Sequence, residues 1–592
     1  MSENAKEVGA GGAMEQPVNA GQFEMSWGSD AVAHMLREFD IDYIALNPGA
    51  SYRGLHDSLV NYLGNRDPEM LVALHEEHAV AMAHGYAKVT DKPMAVAVHS
   101  NVGLMHATMA MFNAWCDRVP MLILGATGPV DAMKRRPWIE WIHTAKDQGA
   151  LVRDYVKWDD QPASPGAAVE SMLRAWQITR TLPNAPVYVC LDLGMQEQAL
   201  DAPLDIPDPA RFEPGLPPAP APDAIEQAVA LLAGARKPLI LAGRTSRRQA
   251  NWDERVRLAE LLDARVLTDL KAGAVFPTDH PLHPIPPIKR PSERAKKMIA
   301  EADVILSLEW IDPAGTFMLA TGSSATEGKL INCSLDSLLH NGWSMDHHIL
   351  PAADIRILSD PDSVVSALLP ALEAALGGAA KESAWPTAIP TPPHAPTEES
   401  PDAPLEHQDL ADALDAALHG RPMTLIRVPL TWPGSLCQFD EPLDFLGGDG
   451  AAGIGSGPGM AVGAALALKG SGRIPVAILG DGDTLMGLNA LWTAAKYRIP
   501  LLVLVSNNRS YYNDVVHQET VANMRGRPPE NRLVGQRLED PIPDLAGLAR
   551  GLGWSAEGPV MTRDALLEVL TKAVADVAAG GCWLVDAHIH RE

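Results

Sequence analysis

The chain of 592 residues lacks any run approaching the roughly 20 apolar residues that a helix needs to cross a bilayer, so no membrane span is expected. Cysteine is scarce. The five present, Cys116, Cys190, Cys333, Cys437 and Cys582, are scattered, odd in number and without metal-ligand spacing, which excludes a disulfide framework and fits a reducing cytoplasm. Cys116 reads as a buried structural thiol. Positive charge is also short. With 48 Lys and Arg against 74 Asp and Glu, the net charge of -26 argues against nucleic acid or an anionic membrane as a partner. Residues 1–22 are small and polar, lack the apolar stretch of a signal peptide, and read as a disordered tail.

Proline punctuates what is there. A chain of this length exceeds the size at which a single core stops growing, so three or four domains are expected. Short apolar strands at 43–46, 94–98, 121–124 and 187–191, alternating with helical stretches, predict an α/β domain over 23–200. The Pro-rich LPPAPAPDA marks a linker at 201–222. In a second α/β unit over 223–375, KPLILAGRTSR and EADVILSLEWID read as strands; it shows no complete dinucleotide fingerprint and is assigned no ligand. His347 and His348 beside Asp346 read as an exposed loop rather than a metal site. A Pro-rich polar linker follows at 376–404. The third domain fills 405–592, with CWLVDAHI as a late strand.

The most telling segment lies in this third domain: GDGDTLMGLNALWTAAKYRIPLLVLVSNN, from Gly480 to Asn508. Two short Val-, Ile- and Leu-rich runs, 476–479 and 501–506, suit strands buried on both faces. Between them Leu485, Leu488, Leu491, Trp492 and Ala495 recur at helical spacing. Both polar turns therefore fall at the carboxyl ends of strands, where open α/β sheets bind ligands. Asp481 and Asn508 offer hard oxygen ligands, suited to Mg2+ or Ca2+ on a diphosphate. A calcium loop of EF-hand type is rejected, because the position of its bidentate Glu is Trp492.

On these residues the chain resembles the thiamine diphosphate-dependent decarboxylase and acetohydroxyacid synthase family, whose cofactor motif runs from GDG to NN. The resemblance implies an α/β fold of three doubly wound parallel-sheet domains: pyrimidine-binding, central Rossmann-like and diphosphate-binding. It implies metal ligation by Asp481, Asn508 and the Ser510 carbonyl, and cofactor contacts from Gly480, Asp481, Gly482, Asp483, Asn508, Ser510 and Tyr511. In GIGSGPGMAVGAALA, Gly453 lies in the family's glycine-rich segment and Ile454 matches the wedge that bends the cofactor; as a dinucleotide loop the segment is weak. Near the N-terminus, ALHEEHAVAMAHGYAKVTDKPMAVAVHS resembles the pyrimidine-binding half. Glu76 is in register with Gly85, Tyr86 and Ala87, and so implies the glutamate that activates the cofactor, an electron sink for a departing carboxylate or acyl fragment. Glu77 reads as a solvated neighbour. The zincin pattern His-Glu-x-x-His is one residue short at His78, so zinc is not expected.

His99, followed by Ser100, resembles the benzoylformate decarboxylase branch, where this histidine faces the substrate and can carry protons. Three positions depart from that branch. Its active-site serine falls on Ala50, with Ser51 one residue later; its second histidine has no match near 309–312; and its glycine-rich-turn asparagine is replaced by His106. Tyr511, Tyr512, Asn513 and His517 are expected to line the cavity. The resemblance thus implies thiamine diphosphate and Mg2+ as cofactors, and decarboxylation of a 2-oxo acid without net oxidation, with Glu76 and His99 catalytic. An acetolactate synthase-type carboligase and a 2-hydroxyacyl-CoA lyase are the alternatives. It also implies a homodimer or homotetramer with active sites shared between subunits.

Overall fold

The computed structural model describes residues 15–19, 21–339, 349–386 and 403–590. Most of the tail expected at 1–22, residues 387–402 of the second linker, and His347 with His348 lie outside them. Three parallel sheets organise the rest. The first comprises β1 (Tyr43–Leu46), β2 (Glu69–Val72), β3 (Met94–Ala97), β4 (Met121–Thr127), β5 (Trp158–Asp160) and β6 (Pro186–Asp192), in the order β2-β1-β3-β4-β6-β5. The second comprises β7 (Pro238–Ala242), β8 (Arg265–Thr268), β9 (Val304–Leu308), β10 (Lys329–Cys333) and β11 (Ile355–Ile357), in the order β11-β10-β9-β7-β8. The third comprises β12 (Met423–Arg427), β13 (Ile474–Gly480), β14 (Leu501–Asn507), β15 (Ser555–Val560) and β16 (Cys582–His588), in the order β12-β13-β14-β16-β15.

The apolar runs dictate this. β4 and β14 are buried at every position, as strands covered by helices on both faces must be. No helix among the described residues is long and apolar enough to cross a membrane. Within the first sheet, the two strands that carried no clear sequence signal, β2 and β5, are short and sit at its edges. In the first sheet the order reverses between β1 and β3, and in the second between β7 and β9, which opens a crevice at each pair's carboxyl ends.

Two helices, α1 (Glu76–Thr90) and α2 (Ser100–Cys116), follow β2 and β3. In the third domain α3 (Gly457–Leu468) precedes β13, and the segment read as one helix is two, α4 (Asp481–Gly487) and α5 (Ala490–Tyr497). The break falls beside Gly487, where a Cβ would stand 2.3 Å from the Gly455 carbonyl oxygen.

The first and third domains share one apolar core, running from Ala79, Val80 and Met82 of α1 to Met460, Val462 and Ala465 of α3. The two helices cross at backbone distance. A Cβ on Gly85 would stand 2.0 Å from the Met460 carbonyl oxygen, and one on Gly463 would stand 1.8 Å from the Met82 carbonyl oxygen. Gly459 faces Ala81 in the same seam. Polar ties flank it: Lys88, buried, donates to Asp117 and to the Gly448 carbonyl, and Asn113 Nδ2 donates to Ser456 Oγ at 2.9 Å. Gly463→Ala must push the helices apart and is expected to destabilise the protein by ~1–3 kcal/mol in urea denaturation. Gly166→Ala, at a helical position with nothing within 4 Å of a Cβ, should be neutral or mildly stabilising in the same assay.

Candidate active site

Glu76 is the first residue of α1 and is buried. Its Oε2 accepts a hydrogen bond from His106 Nδ1 at 3.1 Å, so the residue that replaces the family's asparagine touches the carboxylate. The His106 ring stacks on His75 with centroids 4.6 Å apart. Ligand-type atoms of His75, Glu76 and His106 lie within 4.8 Å of one another, a grouping that the Glu76–His106 hydrogen bond accounts for without an ion. Glu77 is not the solvated neighbour expected. Its carboxylate bonds His78 Nδ1 at 2.8 Å and accepts from Ser456 Oγ of the third domain, and these partners hold its pKa below the ordinary carboxylate value against the effect of burial.

His99 leaves the end of β3 at the reversal point of the first sheet. Gly103 separates it from Glu76: a Cβ there would stand 2.6 Å from Glu76 Oε1 and 2.9 Å from the His99 Cβ. The serine one position after the family's site reaches the histidine instead. Ser51 Oγ lies 2.7 Å from His99 Nδ1, whereas Ala50 offers no polar group. Burial, and then the neighbouring His143, lower the His99 pKa, while Glu76 opposes the shift.

In the third domain, Gly480 ends β13 and pairs with Ser506 of β14, which sets the GDG turn beside Asn507 and Asn508. Asp481 is buried, and its Oδ2 has no hydrogen-bond partner. Burial pushes its pKa up to about 6, against the backbone N–H groups of Gly482, Asp481 itself and Arg509. Asn508 Oδ1 accepts from the Ser510 amide at 3.0 Å, closing a tight turn. Gly482 admits the Tyr511 ring, 2.6 Å from where a Cβ would stand, and space beside Gly480 is open. Asp483 is differently placed: it accepts from the Gly455 amide at 2.6 Å and the Gly457 amide at 3.3 Å, and pairs with Arg427 Nε at 3.2 Å. It thus shapes the segment that carries Gly453 and half-buried Ile454. Tyr511 and Tyr512 are half-buried, whereas Asn513 and His517 are exposed.

A cavity of 290 Å³ opens next to Asn508, lined in part by His407, Thr431, Ser435, Tyr512 and His590. No sequence motif marks His407, Thr431, Ser435 or His590, because they come from separate segments that only the fold brings together. No hydrogen bond or ion pair among the described residues joins Glu76 or His99 to Asp481, Asn508 or Ser510. In the central domain, protein groups border the β7–β9 crevice. Gly243 lies against the Glu309 carbonyl, and the Glu309 side chain pairs with Arg118 at 2.6 Å and accepts from the Leu335 amide.

The raised pKa of Asp481 makes a sign-specific prediction. Its folded value, about 6, lies above the ordinary 3.8, so stability is lost as pH rises through this interval. Asp481→Asn should therefore stabilise the cofactor-free protein by ~2–3 kcal/mol at about pH 7.5 and by less at about pH 5, as read by urea denaturation.

The comparisons with known proteins agree with this architecture. Residues 26–151 match the N-terminal TPP binding domain of the thiamine pyrophosphate enzymes, 225–368 the central domain and 430–587 the C-terminal TPP binding domain. The chain is 26% identical to a benzoylformate decarboxylase of Pseudomonas aeruginosa over 464 residues, covering 75% of this chain and 80% of that one. It is 25% identical to an acetolactate synthase large subunit of Corynebacterium glutamicum over 546 residues, covering 90% and 82%. The crystal structure of benzoylformate decarboxylase from Polynucleobacter necessarius superposes with a TM-score of 0.79 at 21% identity, covering 96% of this chain and 99% of that one. With all three domain models matched in order along the chain, the protein belongs to the thiamine pyrophosphate enzymes, a family that includes decarboxylases and acetolactate synthases.

Proposed function

We propose that the protein decarboxylates a 2-oxo acid without net oxidation, using thiamine diphosphate anchored by Mg2+. The observation that carries this reading is the placement of Glu76 and His99 on either side of Gly103, a carboxyl group beside an imidazole able to deliver a proton. The donor set of the third domain suits the cofactor. A buried carboxylate oxygen of Asp481 without a partner calls for a cation, and Asn508 and the Ser510 carbonyl supply the hard oxygens that Mg2+ prefers. Gly480, Gly482 and Tyr511 border this corner, and Gly453 with Ile454 follow from the loop that Asp483 holds. When bound, the cofactor supplies the thiazolium that accepts the electron pair released by the departing carboxylate. Glu76 holds a proton at the pyrimidine ring, and His106 fixes the orientation of its carboxyl group.

Each complete site takes one half from each of two copies. Beside Glu76, α2 exposes Val102, Met105 and Met109, an apolar stripe interrupted only by His106. A homodimer, or a pair of such dimers, would bury this stripe and bring a partner's diphosphate half-site to Glu76. The carboligase reading draws on the acetolactate synthase relative, which spans more of the chain than the decarboxylase does.

Proton NMR of the protein with thiamine diphosphate, Mg2+ and a panel of 2-oxo acids, with and without an aldehyde, separates the readings. An aldehyde product is expected; a hydroxyketone as the main product would favour the carboligase. Glu76→Gln should lower kcat by at least about 100-fold while thiamine diphosphate binding, followed by calorimetry, changes little. Unchanged turnover would remove Glu76 from the mechanism.

A further inference from the structure

The wall of the cavity beside Asn508 is held from outside its own domain. Thr431 and Ser435 line that cavity from the connection after β12, in a stretch that carries Pro429 and Pro433. Proline has no backbone N–H, so the stretch has few donors of its own: the Trp432 amide donates to the Pro429 carbonyl at 3.0 Å, and the Leu436 amide to the Pro433 carbonyl at 3.2 Å. Lys289 of the central domain gathers it. The Lys289 ammonium donates to the carbonyls of Pro429 at 3.3 Å, of Trp432 at 3.1 Å, and of Leu430. Three donors meet three acceptors, which exhausts the hydrogen-bonding capacity of a lysine.

Lys289 is itself tied to the second sheet. Its neighbour Ile288 bridges Asp269, just beyond β8: the Ile288 amide donates to the Thr268 carbonyl and the Leu270 amide to the Ile288 carbonyl, each at 2.9 Å. One residue earlier, the Pro287 carbonyl oxygen lies 1.9 Å from where a Cβ on Gly434 would stand. On the cavity side, the ring of buried Trp432 lies 5.4 Å from that of His407, whose Nε2 is 3.0 Å from Ser506 Oγ on β14. A continuous series of contacts therefore runs from β8 through Lys289 to the cavity wall.

We propose that Lys289 is a positioning residue for the cofactor: by drawing three carbonyls of the 429–432 stretch onto its ammonium, it sets the wall that receives the diphosphate beside Asn508. The inference rests on the reading that places thiamine diphosphate and Mg2+ at Asp481 and Asn508, and deepens it. Thr431 and Ser435 bring hydroxyl donors of the kind that phosphate oxygens accept. Lys289 acts only through the stretch it holds. The central domain, which carries no dinucleotide fingerprint of its own, thereby gains a part in holding the cofactor of the third.

Calorimetric titration of the full-length, cofactor-free protein with thiamine diphosphate at fixed Mg2+, together with hydrogen exchange over residues 428–437, tests this. Lys289→Met should weaken thiamine diphosphate binding by about 10- to 100-fold, the range expected for a lost hydrogen bond to a charged group, and should speed exchange of the Trp432, Leu436 and Cys437 amides. Lys289→Arg keeps the cation and should recover most of the affinity. Gly434→Ala collides with the Pro287 carbonyl and should reproduce the loss with Lys289 in place, so it carries the test if Lys289→Met does not fold. Wild-type affinity in a folded Lys289→Met or, where that variant does not fold, in Gly434→Ala overturns the proposal, and so does lost stability without lost affinity. Failure of the wild-type protein to bind thiamine diphosphate would instead remove the cofactor reading itself.

Discussion

The structure depends on a place where two helices meet without side chains between them. At Gly85 and Gly463, α1 and α3 approach until backbone carbonyls occupy the space of a Cβ, with Gly459 against the Ala81 methyl, and this contact joins the first domain to the third. Glu76 begins one of these helices, and the glycine-rich segment opens the other. Packing at the crossing therefore sets where both lie. Ser456 adds a polar lock, donating to Glu77 and accepting from Asn113 at the same seam.

Chemistry is divided among acidic residues that look alike in sequence. Asp481 and Asp483 flank one glycine, but the fold gives them opposite tasks. Asp483 is saturated by two amides and the Arg427 guanidinium, so its charge is used up in holding a loop. Asp481 keeps a buried oxygen without a partner, and an uncompensated charge of that kind is stable only beside a cation or with a proton. Glu76 and Glu77 divide in the same way: one faces the imidazole of His106, the other is consumed by the domain seam.

Much of this is legible in the sequence. The strands at 476–479 and 501–506 announce themselves because strands buried on both faces must be continuously apolar, and the turns after them carry the cofactor motif. Edge strands β2 and β5 left no such trace. The helix after Asp481 read as continuous because Leu485, Leu488 and Leu491 keep their spacing across a break that Gly455 imposes from a distant segment. Ser51 stands out in sequence only as a serine one place off the family's position, and its contact with His99 comes from the fold. His143 belongs to no motif, and only a turn after β4 brings its ring to His99.

The backbone contact between α1 and α3 also bears on how such a protein can change. The joint is made where glycines face the Met82 and Met460 carbonyls, inside an apolar core shared by the two domains. Positions 50, 51, 106 and 143, which face the reacting groups or their neighbours, lie off that seam. Substrate choice can therefore drift, or be engineered, by exchanging cleft residues while the frame that presents the cofactor stays fixed, which makes catalysis the conserved module and specificity the adjustable one.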